Sequence, residues 1–228
     1  MKALEDVLKQ VAERLEDNFP YGDPLYAGQM LKPPHEVARR AYEMALRINP
    51  NNHALDGGRA SSAMEKDAVA ELARMIGWED THLGHLCGGG TMANLEALWI
   101  ASRLHPGQTI LASTQAHYTH ERITGVLGIP FETIACDANG RMDVGALESR
   151  LAAGGVGTVV ATRGTTATGA VDPLDRVVDL RRRHDFRIHA DAAYGGYFRL
   201  AGNLASDTAR AFRAASTSAN RLSAQKPI

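Results

Sequence analysis

Residues 188–196 read Ile188-His189-Ala190-Asp191-Ala192-Ala193-Tyr194-Gly195-Gly196, with the lead-in Phe186-Arg187-Ile188 before them. The lead-in reads as a short strand near 186–190, and Asp191 stands where that strand ends. Two alanines and a glycine pair then leave bare backbone around the carboxylate. An acid in this place is either the N-cap of a following helix or the partner of something positive in a dry pocket. Small residues at Ala192, Ala193, Gly195 and Gly196 would let a flat ring approach the backbone.

Outward from this tip, short apolar strands alternate with helical patterns from residue 82 onward. Further strands are expected near 83–87, 109–113, 131–136 and 157–162, and helices near 91–104, 117–127, 143–152 and 173–184. Such alternation implies βαβ units and a mostly parallel sheet. Before residue 82 the texture is helical. Leu4, Val7, Leu8, Val11 and Leu15 share one face of an amphipathic helix over 4–15. Residues 19–35 are proline-rich and irregular, a helix follows over 36–48, and 49–60 is loop. Ser62-x-x-Glu65 reads as a capping box opening a helix to about Trp78. The expected organisation is a helical arm over 1–80, an α/β domain over 81–214 and an atypical tail over 215–228.

Bulk properties narrow the function. With 228 residues and 44% apolar content, the chain can bury one good core, or a domain plus an arm. A net charge of −1 gives no electrostatic footprint for nucleic acid. Arg181-Arg182-Arg183 reads as the solvated end of a helix. Two cysteines, Cys87 and Cys136, give neither a disulfide framework nor zinc spacing, and fit a reducing compartment. Acids at the N-terminus do not suit a signal peptide, and no run approaches the length of a membrane span. A soluble, cytoplasmic protein is expected.

Three other motifs share the position of Asp191. Cys87-Gly88-Gly89-Gly90-Thr91-Met92-Ala93-Asn94 lies between an expected strand and an expected helix. Bare backbone N–H groups, a helix N-terminus and the Thr91 hydroxyl form a phosphate cradle there; the alternative is a tight turn that merely needs glycine. His117, in Gln115-Ala116-His117-Tyr118-Thr119-His120, follows the next strand, where open α/β sheets bind ligands. Alone it could equally be a satisfied polar residue. His117-x-x-His120 and His82-x-x-His85 lack a third metal ligand at useful spacing, so no metal site is expected. Gly164-Thr165-Thr166 follows the strand that ends at Thr162. Independent structural roles at all four tips are a poorer explanation than one ligand with a phosphate, a flat ring and a basic ring nitrogen. Pyridoxal 5'-phosphate is such a ligand, and a buried Asp would keep its pyridine nitrogen protonated.

The segments CGGGTMANLEAL, QAHYTHER, GTTATGAVDPL and HADAAYGG resemble the group II pyridoxal-phosphate-dependent amino acid decarboxylases, relatives of the glutamate, tyrosine and aromatic amino acid decarboxylases. The motifs occur in family order, and the resemblance covers most of residues 19–214. It implies an aspartate-aminotransferase-like (type I) α/β fold, of which this chain would hold part of the large domain. It also implies an amino acid substrate and a homodimer. By resemblance, Gly89, Gly90 and Thr91 cradle the phosphate, and His117 stacks on one ring face and takes part in proton transfer. Ala193 packs on the other face and Asp191 pairs with the ring nitrogen. Thr166 with Thr165 bonds near ring and substrate, and residues 19–35 shape the substrate pocket. His117 and Asp191 are the catalytic candidates.

The resemblance also asks for a lysine that binds the cofactor, after a histidine at the end of an apolar strand. Lys226 stands 35 residues beyond Asp191, but residues 215–228, ASTSANRLSAQKPI, hold neither the strand nor the histidine. The expectation is a truncated or frameshifted copy that binds cofactor weakly and catalyses nothing. Arg163 is a second departure, since an apolar residue is usual before Gly-Thr-Thr. It either pairs with a substrate carboxylate or is an uncompensated buried charge. Arg59 raises a weaker doubt of the same kind. A sister enzyme of the same fold, an aminotransferase or carbon–carbon lyase, and a non-catalytic product remain as alternatives.

Overall fold

Thr158-Val159-Val160-Ala161-Thr162 carries no charged side chain and nothing more polar than threonine, and Thr109–Ser113 is of the same texture. Strands of this texture are stable only when covered on both sides. In the computed structural model, which describes residues 2–26, 32–54, 56–78 and 82–201, both runs are central strands and every residue of each is buried. They are β1 (Thr109–Ser113) and β3 (Val156–Thr162); β2 (Phe131–Ile134) lies outside β1 and β4 (Arg187–Asp191) outside β3. The order is β2-β1-β3-β4 and every pairing is parallel. The chain leaves β1 toward β2 and returns on β1's other side as β3. The carboxyl ends of β1 and β3 therefore flank a topological switch point, where open α/β sheets bind ligands.

Alternation along the strands divides the core in two. Leu111 and Val159 face a cluster with Leu147 and Leu151 of α6 (Val144–Ala152) and Val177 and Leu180 of α7 (Leu174–Leu180). Ile110, Ala112 and Val160 face the opposite cluster, with Leu98 of α4 (Gly90–Leu104) and Ile123 of α5 (Thr119–Leu127). The helices before the sheet are α1 (Lys2–Leu15), α2 (Glu36–Ile48) and α3 (Arg59–Ile76). The chain divides into two compact units, Met1–Ser62 and Ala63–Ile228, the division falling inside α3 rather than near residue 80.

Several expectations need correction. Residues 83–87 form no strand: they have no ladder partner among the described residues, Leu83 and Leu86 stay exposed, and the Leu86 N–H donates to Glu65 Oε1 at 2.7 Å. Ser62 does not open a helix. It lies inside α3, and its hydroxyl donates to Asn52 Oδ1 at 2.6 Å, while Glu65 is engaged with Leu86, so neither half of a capping box forms. β2 stops at Ile134, because Cys136 turns into an antiparallel bridge with Met142. The helix expected over 173–184 ends at Leu180 and continues as turns through Arg183. No helix among the described residues is long and apolar enough to cross a membrane. Residues 215–228, with Lys226, lie outside the described residues.

Candidate active site

Asp191 is the last ladder residue of β4, in register with Thr162. It caps no α-helix: the next element is a 3-10 turn, Gly196–Leu200, entered from Gly195. Its carboxylate is buried and accepts three hydrogen bonds. His120 Nε2 donates to Oδ2 at 2.9 Å, Asn94 Nδ2 to the same oxygen at 3.2 Å, and the Ala193 N–H to Oδ1 at 3.0 Å. Burial alone would raise the carboxyl pKa. The His120 hydrogen bond, the Ala193 N–H, the His120 ring nearby and the Asn94 amide together outweigh burial and hold it at about 2. Asp191 is therefore an anion at neutral pH in a site that excludes most water.

Three elements converge on this anion. α4 supplies Asn94 one turn inside its N-terminus, and α5 supplies His120, which is wholly buried. β4 itself supplies His189, whose Nε2 donates to Asn94 Oδ1 at 2.7 Å. That bond fixes the Asn94 amide with its oxygen toward His189 and its nitrogen toward Asp191. Burial, with His120 nearby, pushes His189 down to about 4, so its ring is neutral at pH 7.

α4 opens without a side-chain cap. Gly89 precedes it at φ 117°, a conformation that strains any residue with a Cβ, and Gly90 is its first residue. A Cβ on Gly90 would lie 3.0 Å from Ala193 Cβ, so the glycine brings the helix start against the tip of β4. The uncapped N–H groups of this turn and the exposed Thr91 hydroxyl are donors of the kind that bind anions, beside Ala193. His117, half-buried, follows β1. Its Nδ1 accepts from the Thr119 N–H at 3.2 Å and pairs with the Thr119 hydroxyl. Its ring lies 4.3 Å from the Tyr118 ring, centroid to centroid.

The threonine pair divides. Thr165 is buried, its hydroxyl bonds Thr168 Oγ1 at 2.8 Å and accepts from the Ala170 N–H at 3.0 Å, and so closes its own turn. Thr166 is the exposed member. Arg163 fits neither expectation stated for it. Its side chain is 1% exposed, turned to the Asp172 carbonyl at 3.1 Å, and held at about 10 by burial against the opposing Asp172 and Asp175 carboxylates. It is thus a buried cation whose charge burial weakens and whose guanidinium donates to a backbone carbonyl. A Cβ on Gly195 would sit 1.5 Å from the Arg163 carbonyl oxygen, so the backbone after β4 can cross the tip of β3 only at a glycine.

His85 pairs with Glu96 at 2.7 Å, and among the described residues no three His, Cys, Asp or Glu side chains group as a metal site. Sequence reasoning missed His120, Asn94 and His189. The only signal was the polar character of His120 and Asn94 on helices that otherwise bury apolar residues.

The donor set suits pyridoxal phosphate: an uncapped, glycine-led helix start for a phosphate and, beside it, a buried anion for a ring cation. Comparisons with known proteins agree. A family model described as the pyridoxal-dependent decarboxylase conserved domain matches residues 99–221. A probable L-aspartate decarboxylase of Halobacterium salinarum is 34% identical over 170 residues, covering 74% of this chain and 47% of the relative. An L-2,4-diaminobutyrate decarboxylase of Rhizobium meliloti is 35% identical over 176 residues, covering 70% of this chain and 36% of the relative. Among solved structures, apo mouse CSAD superposes with a TM-score of 0.81 at 25% identity, over 94% of this chain and 48% of that one. The glutamate decarboxylase domain of a Vibrio parahaemolyticus transaminase–decarboxylase gives 0.81 at 26% identity, over 93% and 51%. The sheet and helices thus form part of a type I fold, and the chain spans about half the length of most of these relatives.

Proposed function

Because this chain belongs to the pyridoxal-dependent decarboxylase family, we propose that it builds the cofactor cradle of an enzyme that removes the α-carboxylate of an amino acid as carbon dioxide. The observation that carries the reading is the buried Asp191 anion, held at about 2, beside the uncapped glycine opening of α4. When bound, pyridoxal phosphate supplies an electron sink for the pair released as the carboxylate leaves. Asp191 holds the proton on the ring nitrogen, which keeps that sink strong. Gly89, Gly90 and Thr91 bind the phosphate through backbone N–H groups and a hydroxyl. Ala193, beside Gly90, and His117, after β1, would hold the ring between them. The pairing of Nδ1 with Thr119 supports a role in which His117 Nε2 would hold and return a proton. Thr166, whose side chain is exposed after the tip of β3, would bond near the ring and substrate.

We further propose a cytoplasmic homodimer. Two free cysteines suit a reducing compartment, and Leu4, Val7, Leu8, Val11 and Leu15 leave one face of α1 exposed, a face a second copy would cover.

Binding and turnover are tested separately. Equilibrium dialysis with pyridoxamine 5'-phosphate, which needs no covalent lysine, should show one saturable site per chain. Asp191→Asn should weaken it by about tenfold or more, the worth of a charged hydrogen bond. Release of labelled carbon dioxide from carboxyl-labelled L-amino acids then reports the reaction. A wild-type protein with no saturable site would remove the cofactor reading.

A further inference from the structure

The two oxygens of Asp191 are used differently. Oδ2 receives both side-chain donors, His120 Nε2 at 2.9 Å and Asn94 Nδ2 at 3.2 Å, whereas Oδ1 receives only the Ala193 N–H among the described residues. Ala193 is the residue whose methyl abuts Gly90, so Oδ1 lies on the side of the glycine cradle. His120 cannot be solvated instead, since it is wholly buried, and its Nδ1 has no hydrogen-bond partner among the described residues. A bare nitrogen lone pair is the less costly state for such an atom, and an Nδ1-bare ring carries its proton on Nε2, toward Asp191.

We propose that His120 is a positioning residue for the cofactor ring: by donating Nε2–H to Oδ2 it fixes the rotation of the Asp191 carboxylate, keeps it ionised, and reserves Oδ1 for the ring nitrogen. The proposal rests on the cofactor reading only in its last clause. The other groups facing Asp191 do not duplicate the role. α4 contributes the neutral Asn94, and β4 contributes His189, which acts through Asn94. From β3, Arg163 offers its backbone N–H to the Asp191 carbonyl at 2.7 Å while its guanidinium is turned to Asp172. Packing alone would be served as well by an apolar residue at position 120, so chemistry and volume can be separated.

Three measurements do so. In the cofactor-free wild type, long-range proton–nitrogen NMR should show His120 protonated at Nε2 and bare at Nδ1. A proton on Nδ1 with Nε2 bare would overturn the proposal without any variant. Carbon-13 titration of the Asp191 carboxyl should show its midpoint rise by about one unit or more in His120→Leu. His120→Gln, whose amide nitrogen can occupy the Nε2 position, should restore most of the shift. Equal midpoints in wild type and His120→Leu would overturn the proposal. Finally, with nitrogen-15-labelled pyridoxamine 5'-phosphate bound, the ring nitrogen should lose its proton at lower pH in His120→Leu than in wild type, with rescue by His120→Gln. An unshifted ring-nitrogen titration alongside a shifted Asp191 would refute the Oδ1 assignment alone. Failure of the wild type to bind the probe would sink the cofactor reading, while the carboxyl titration would still decide the His120–Asp191 coupling.

Discussion

Lowering the pH from 7 to 5 should destabilise this protein through one identifiable side chain. His189 is held at about 4 in the folded state against an ordinary value of 6.5, because burial disfavours its imidazolium and His120 lies nearby. A lowered folded pKa means that the unfolded chain binds the proton first. The stabilisation is complete above about 6.5 and is lost as pH falls toward 4. Integrating the proton uptake of the two states between pH 7 and pH 5 gives a loss of about 2 kcal/mol, within a possible total of about 3 kcal/mol. Most carboxylates titrate lower, and the buried Asp172, whose carboxyl burial pushes up, is common to wild type and variant and cancels in the comparison. The assay is urea unfolding at both pH values, for wild type and for His189→Gln. Gln can still donate to Asn94 Oδ1 but does not titrate. The wild type should lose about 2 kcal/mol more than the variant. Equal losses would show that His189 takes up its proton in the folded protein, and would refute the buried, neutral ring on which the Asn94 orientation depends.

Two further outcomes follow from the geometry. Gly90→Ala places a methyl 3.0 Å from Ala193 Cβ, so it should cost about 1–3 kcal/mol in thermal unfolding and weaken pyridoxamine 5'-phosphate binding in dialysis, because the helix start must move away from the tip of β4. Arg163→Met removes the bond to the Asp172 carbonyl and the nearby positive charge that helps hold the buried Asp172 carboxyl down, so it should cost about 1–3 kcal/mol in urea unfolding and raise the Asp172 midpoint in carbon-13 titration; binding of the probe by the folded variant should be unchanged, since the guanidinium is turned to Asp172.

What could be read directly from the sequence was whatever depends on neighbours along the chain. β1 and β3 were legible because their runs carry no charged side chain, and the tips of β1, β3 and β4 because histidine, threonine and aspartate stand at or just after their ends. Residues 83–87 misled because a strand exists only if another strand offers a ladder, and an apolar run says nothing about that partner. Ser62-x-x-Glu65 misled for a related reason: each side chain found a better partner outside the motif, Asn52 and the Leu86 N–H. Thr165 and Thr166 could not be separated, since which hydroxyl turns inward depends on Thr168 and Ala170 closing the loop. The bonds around Asp191 were beyond reach, because His120 and Asn94 precede it by 71 and 97 residues.

Those distant bonds explain why the chemistry sits at the end of β4 and not within it. Inside the ladder, a carboxylate would displace apolar side chains on whichever face it met. At the last rung, the Asp191 carbonyl still accepts the Arg163 N–H at 2.7 Å, so the backbone stays as rigid as the strand. The side chain meanwhile emerges where the first turn of α4 and the first turn of α5 come together. Both turns can supply polar side chains there without emptying the cluster built on Leu98 and Ile123 deeper along the same helices. The glycine crossing at Gly195 then carries the chain over the tip of β3 without covering the carboxylate. Rigidity comes from the sheet and ionisation from the helices. Moving the acid one residue back, to position 190, would lose the second and keep only the first, since alternation would turn the carboxylate to the opposite face of the sheet, away from α4 and α5.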